Sequence, residues 1–399
     1  MDCKSTKATH TKEEPQIHKN TIFKLLSSLL SILVLFIILE TGTWIWLNFI
    51  ANEEHFLKYA SLRQLQTRYT HTGQRWALHR YLGFYPAPNY RKGLNTHNSL
   101  GYRDDEMVIP KPKGIFRIVC MGGSTTYSTG VEDNKMSYPA LLEKELNDRG
   151  YTNAEVINAG VGAWSSYESL INLEFRILDL EPDVIIIYHA INDLFARMVW
   201  PPEAYKGDNS GRLPPPTMAM PSIFEYSDLL RYFMIRFGLV KPHSSLDRHF
   251  AKPLKTSVVS EFRKQEIAKT YPEGIFKEVS ARQIFATNKP VYFRRNLEHI
   301  IVIANYRNIK TVLATFAFSP QFTDEPIVSS EECIDGFSEM NQVIKDIATE
   351  TGVGLFDFAS VFPTDKSYYT DGRHVNEKGA KLKAKLFADY LIENELVKK

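Results

Sequence analysis

Three cysteines in 399 residues are too few, and too scattered, for a disulfide framework or a zinc site. Cys3 lies in the N-terminal tail, Cys120 inside an apolar run and Cys333 in a late polar stretch. Charge of one sign is missing too. Lys+Arg 48 against Asp+Glu 46 leaves a net +2, so no basic field draws the chain to nucleic acid. Phosphate-cradling glycine loops, metal-ligand clusters, internal repeats and low-complexity tracts are also absent from the sequence. No cofactor, metal or nucleic-acid partner is therefore expected. A hydrophobic fraction of 44% suffices for a large core, and 24% charged residues for a solvated surface.

Long apolar runs are confined to one place. Leu25 to Leu39 carries no charge, and Phe23 to Thr43 reaches the ~20 residues that span hydrocarbon if Lys24 and Glu40 lie near its two boundaries. Trp44 and Trp46 then fall where indole rings favour the interface. Lys4, Lys7, Lys12, Lys19 and Lys24 precede the run, which predicts a cytoplasmic N-terminus and a translocated C-terminal domain. A cleaved signal peptide is the competing reading; the basic flank is long for one, and no A-x-A-like site follows the run. Glu40 is either an intramembrane functional group or a carboxylate at the outer boundary. The expected order is a cytoplasmic tail (1–22), a transmembrane signal anchor (23–46), an aromatic-rich extension that folds back on the main domain (51–113), and that domain (114–399).

From Lys111-Pro112-Lys113-Gly114 onward strand and helix patterns alternate. Ile115–Met121, Glu155–Asn158 and Asp183–Tyr188 read as buried strands, followed later by Thr311–Phe316 and Gly354–Asp357. Helical spacing separates them: Leu141, Leu142 and Leu146 after Ser137-Tyr138-Pro139, then Leu170, Leu173 and Ile177, then Leu297–Ala304, then Met340–Ile347. A closing helix carries Leu382, Leu386, Phe387 and Tyr390. The pattern predicts an α/β fold with a five-stranded parallel sheet between layers of helices. Residues 195–290 interrupt it as an insertion containing Trp200-Pro201-Pro202 and Pro214-Pro215-Pro216. Within it Ser227 is a candidate cap for a helix bearing Leu229, Leu230, Phe233, Met234 and Phe237, with Arg231 and Arg236 at its edges; a lid, a lipid contact and packing on the domain all remain open for it.

In open parallel sheets ligands bind at the carboxyl ends of strands. Ser124 follows the first strand, Gly160 to Ala163 the second and Asn192 the third, while Asp371 and His374 precede the last helix. Each signal alone is commonplace. His189 reads as a core histidine, Arg373 as either an anion contact or a solvent-facing residue, and His55 and His299 have no evident partner. The order of the blocks is more specific.

Gly122-Gly123-Ser124-Thr125, Asn158-Ala159-Gly160-Val161-Gly162-Ala163, Ala190-Ile191-Asn192-Asp193 and Asp371-Gly372-Arg373-His374 together resemble the four blocks of the SGNH (GDSL-type) hydrolases, over about residues 115–395. The sequence departs from the family at Gly123, where an Asp is usual, at Ala190, where a Gly is usual, and at Ala163, where an ungapped alignment puts the functional Gly. The resemblance implies a flavodoxin-like three-layer α/β/α fold. It also implies catalysis by Ser124, His374 and Asp371, with an oxyanion hole of the Ser124 N–H, the Gly162 or Ala163 N–H and the Asn192 amide. A membrane-anchored bacterial esterase, its domain periplasmic or at the cell surface, acting on an acylated glycan, lipid or small ester, is the leading expectation. An O-acyltransferase (or O-acetyltransferase) of an envelope or exported polysaccharide, and a catalytically silent glycan-binding protein, are the alternatives.

Overall fold

In the computed structural model the described residues are 16–71, 75–79, 81–213, 222–243 and 254–399. Cys3, Lys4, Lys7, Lys12 and Pro214-Pro215-Pro216 lie outside them. The chain forms two compact units, Met1–Leu65 with Ala219–Ser244, and Gln66–Met218 with Ser245–Lys399.

The first unit holds α1 (Gln16–Ile45), a π-helical continuation (Trp46–Ile50) and α2 (Glu53–Tyr59). Thr21–Ile50 is long and apolar enough to cross a membrane, and its most apolar 18 residues have a mean hydropathy of 2.7 with none of them buried. Thirty residues of helix measure ~45 Å, more than the ~30 Å of a hydrocarbon layer.

The second unit is built on five parallel strands: β1 (Phe116–Gly122), β2 (Ala154–Gly160), β3 (Val184–Tyr188), β4 (Lys310–Ala314) and β5 (Gly354–Phe356). Their order across the sheet is β2-β1-β3-β4-β5, the doubly wound flavodoxin-like order. β1 and β3 are buried along their whole length, which is why they read as unbroken apolar runs rather than as alternating ones. Arg117 is the exception inside β1. Its guanidinium donates to Glu155 and to the carbonyls of Leu180 and Val108, so the buried charge is paired.

Helices follow in chain order: α3 (Ser124–Tyr127), α4 (Tyr138–Asp148), α5 (Ser166–Asn172), α6 (Ile191–Arg197), α7 (Asp228–Arg236, in the first unit), α8 (Val291–Tyr306), α9 (Glu331–Thr351) and α10 (Glu377–Glu393). Ser137 caps α4, Pro139 sits in its first turn, and Gly150 follows it at φ +87°. Crossovers of the usual right hand send α4 to one face and α5, α8 and α9 to the other, and α10, after the last strand, packs beside α4. The two layers and the sheet share one apolar core.

Two features differ from the sequence pattern. α9 begins at Glu331, well before Met340, so Cys333 is a buried helical residue and not a loop thiol. Gly336 hides the start: a Cβ there would lie 2.6 Å from Leu194 Cδ1, so close contact with α6 replaces the expected apolar side chain. In α10 Lys383 is buried beside the expected stripe, its Nζ 3.6 Å from the Tyr188 ring and 3.9 Å from that of Tyr138.

Ahead of β1, Trp76–His79 pairs with Gly83–Pro86 as a hairpin. Trp76 packs on Tyr127 and Phe84 on Trp164, with ring centroids 5.5 and 6.3 Å apart. Arg103, also buried, donates to the carbonyls of Tyr127, Ser128, Val131 and Glu132. Part of the aromatic-rich segment thus walls the turn that carries Ser124.

Candidate active site

Strand register brings the sequence blocks together. Gly122 lies opposite Gly160 on one side and Tyr188 on the other, so the turns after β1, β2 and β3 leave the sheet side by side. That is the switch point of this strand order, where β1 and β3 are neighbours and their connections diverge. Close approach needs glycine here. A Cβ on Gly160 would lie 2.2 Å from the Tyr127 N, so β2 lets the first turn of α3 press directly on the sheet end.

Ser124 opens α3, so its N–H precedes any intrahelical acceptor and meets none among the described residues. Its Oγ lies 2.7 Å from His374 Nε2. His374 Nδ1 lies 2.8 Å from Asp371 Oδ2, while Asp371 Oδ1 accepts the N–H groups of His374 (2.9 Å) and Arg373 (3.2 Å). With Nδ1–H donating to the carboxylate, Nε2 presents its lone pair to the serine hydroxyl. Burial by itself would raise the Asp371 carboxyl. The hydrogen bond and charge of His374, with Arg373 beside it, instead hold it well below the usual carboxylate range. The loop is fixed from outside: Thr370 donates to the His374 carbonyl through N–H (2.8 Å) and Oγ1 (3.1 Å), and Ser319 N–H donates to the Gly372 carbonyl (2.7 Å).

Asn192 sits in the first turn of α6, buried, and its Nδ2 donates to the Trp164 carbonyl at 2.8 Å. One amide hydrogen is thereby anchored and the second is left for another acceptor. Gly123 has the same neighbours. A Cβ on it would lie 2.7 Å from Asn192 Nδ2 and 3.1 Å from the Trp164 carbonyl, so any side chain at this position would press on both. Gly162 and Ala163 both follow β2 in the loop before Trp164, and Ala163 holds φ +65°, the left-handed region that favours glycine.

The remaining sequence candidates take structural places. His189 lies against Ser169 Oγ (2.7 Å), and burial pushes its pKa down to about 3, so it is a neutral core residue. Asp193 accepts from Ser166 Oγ and N–H, and burial raises its carboxyl to about 7. Arg373 neither faces solvent nor stands free for an anion. Its Nη1 lies 3.1 Å from the buried Glu325, out of line for a hydrogen bond, and its Nη2 lies 3.5 Å from Asp371. His55 lies 2.7 Å from its own helix cap, Asn52. Sequence reasoning missed Trp164, Thr370 and Glu325, which act through a carbonyl, a backbone clamp and a long-range charge; only Trp164 had a signal, its adjacency to Ala163. A separate cavity of about 460 Å³ lies at the amino ends of the strands, lined by Phe116, Asp183 and Lys310 among others, away from Ser124.

The arrangement is that of a nucleophile, a base and an orienting carboxylate, with backbone and side-chain N–H donors beside them. No family model matches the chain, and no curated protein does. Solved structures similar to it include the lipase/acylhydrolase from Enterococcus faecalis, 15% identical, covering 70% of this chain and 97% of that one, with a TM-score of 0.40. An acetyl xylan esterase, AlAXEase, is 16% identical over 70% of this chain and 99% of its own, with a TM-score of 0.38. LAE5, an α/β hydrolase enzyme from the metagenome of Lake Arreo, is 14% identical over 71% and 97%, with a TM-score of 0.39.

Proposed function

We propose that this chain is a serine ester hydrolase of the SGNH type, held to a membrane by α1 with its catalytic domain on the extracytoplasmic side. The observation that carries the reading is the continuous chain Ser124 Oγ, His374 Nε2, His374 Nδ1, Asp371 Oδ2, with a 2.7 Å link between residues 250 apart in sequence and a 2.8 Å link between residues three apart.

In the proposed reaction Ser124 Oγ attacks the ester carbonyl carbon as its proton passes to His374 Nε2. Asp371 keeps the imidazole in the required tautomer and stabilises the imidazolium. The oxygen that becomes negative is bound by the Ser124 N–H, the free Asn192 amide hydrogen and the N–H of Gly162 or Ala163. His374 then returns the proton to the leaving alcohol, giving an acyl-Ser124. Water, deprotonated by the same imidazole, releases the acid and restores the serine. An acylated glycan, lipid or small ester meets these requirements equally. The four sequence blocks and the strand order support the family assignment.

The test is covalent labelling of membranes containing the full chain with a fluorophosphonate, which reports an activated serine. Wild type is expected to label and Ser124→Ala is not. An unlabelled wild type, or a labelled Ser124→Ala chain, overturns the proposal.

A further inference from the structure

We propose that α7 (Asp228–Arg236) is a second membrane-contacting element, its outer face lying in the interfacial layer of the bilayer beside the end of α1. The inference rests on reading α1 as an anchor.

The polarity of α7 is inverted. Asp228 and Arg231 are buried with Ile235, whereas Leu230 (42% exposed), Phe233 (44%) and Phe237 at the C-terminal end (70%) form one outward stripe at helical spacing, and Tyr226 in the turn before the helix is 93% exposed. Ile223 and Leu239 extend it at 80% and 69% exposure. A helix bathed in water turns its apolar stripe inward. Contiguous exposed apolar side chains of this size instead mark a surface that meets something apolar.

The buried side is polar, and each of its charged side chains has a partner, although Arg231 Nη2 and His243 Nδ1 make no hydrogen bond among the described residues. Arg231 Nε donates to the carbonyls of Tyr59 (3.1 Å) and Ala60 (3.0 Å), and its Nη1 pairs with Glu225. Glu225 also meets His243 Nε2 at 2.7 Å and the Leu62 N–H at 2.8 Å, and Gln64 donates to Asp228 at 2.9 Å. Turning charge inward and apolar groups outward is the distribution required where the surroundings are hydrocarbon rather than water.

Glu40 identifies the occupant. It lies near the end of the apolar run of α1, where a carboxylate facing lipid alone is costly. The start of α7 satisfies it: Oε1 accepts the Asp228 N–H at 2.7 Å, and Oε2 accepts Ser227 Oγ at 2.6 Å and the Leu229 N–H at 3.1 Å. The negative charge sits at the positive end of the helix. From there Leu229, Tyr232 and Phe233 follow Leu39, Gly42, Thr43 and Trp46 along a shared apolar groove. The exposed stripe of α7 is thus continuous with the exposed apolar surface of α1, and the bilayer that covers one covers the other. Arg236, exposed at the edge of the stripe, is placed to reach anionic headgroups from an interfacial helix.

The experiment uses the full chain in vesicles of phosphatidylcholine and phosphatidylglycerol. Single nitroxide labels are attached to Leu230→Cys, Phe233→Cys, Phe237→Cys and, as an aqueous reference, Tyr306→Cys, all in a Cys3→Ser background; Cys120 and Cys333 are buried. Collision with oxygen, which concentrates in lipid, is compared with collision with a water-soluble nickel chelate. The oxygen-to-nickel ratio is expected to be several-fold higher at 230, 233 and 237 than at 306. A ratio at 233 and 237 equal to that at 306 overturns the proposal, and so does protection from both reagents, which means a protein surface covers the stripe. Alkaline carbonate washing separates the two readings. If the chain leaves the vesicles, the anchor reading fails; if it stays while 233 and 237 behave as aqueous, the α7 proposal alone fails.

Discussion

At the scale of single residues the proposed site divides between groups assigned to chemistry and groups that hold donors in place. Removing His374 deprives Ser124 of its only base within reach among the described residues, so His374→Ala is expected to abolish ester turnover. Asn192→Ala removes one of three proposed donors and costs about 10²–10³-fold in kcat, the usual effect of losing one such hydrogen bond. Steady-state hydrolysis of a p-nitrophenyl acetate substrate distinguishes the two outcomes; equal loss in both variants would mean that Asn192 is indispensable to the fold of the site. Ala163 makes a separate prediction. Its φ of +65° costs an L-residue roughly 1–2 kcal/mol, part of which glycine returns as unfolded-state entropy. Ala163→Gly should therefore raise the urea midpoint by a net gain of up to about 1 kcal/mol, and a lower midpoint would show that the methyl group is needed for packing.

At the scale of elements, the turn from β3 into α6 sets a pH dependence of stability. Asp193 is raised from 3.8 to about 7, chiefly by burial, so the folded state keeps a proton that the unfolded chain has lost. Between those two values the folded state binds more protons than the unfolded one, and stability falls as pH rises. The window spans about three pH units at ~1.4 kcal/mol each, an upper bound near ~4 kcal/mol. Asn at this position accepts from Ser166 without carrying charge. Asp193→Asn should raise Tm at pH 8 more than at pH 5, and an equal change at both values would contradict the assignment.

The elements also explain how far the sequence could be read. β1 and β3 were legible because strands covered on both faces leave nearly continuous apolar runs; Ser124 and Asn192 stand just after those strands, and His374 just before the last helix. Early α9 was not, since Gly336 is selected by the neighbouring Leu194 and carries no periodic signal of its own. Lys383 lies between Leu382 and Leu386 and carries no apolar signal, although rings from β3 and α4 enclose its amino nitrogen. Trp164 contributes a carbonyl that every residue type possesses, so its place next to Ala163, not its side chain, is its only signal. Partners distant in sequence decide these positions.

At the scale of the whole molecule, the first unit is assembled from two stretches of chain far apart in sequence, and α1 is part of its construction. Cleavage after the apolar run would remove Glu40 from the start of α7 and leave the Ser227, Asp228 and Leu229 donors without that acceptor. A signal peptide is discarded without structural consequence; a helix that satisfies another element's first turn is not. The chain is therefore expected in the membrane fraction with α1 attached. Alkaline phosphatase fused after Lys399 should be active under the proposed topology, in which the basic flank lies on the cytoplasmic side and α1 crosses the bilayer once. Immunoblotting with a tag placed before Lys4 reads both features at once. Retention of the tag on an active fusion supports an uncleaved, translocated enzyme, loss of the tag from a soluble product refutes the anchor, and an inactive fusion with the tag retained reverses the orientation.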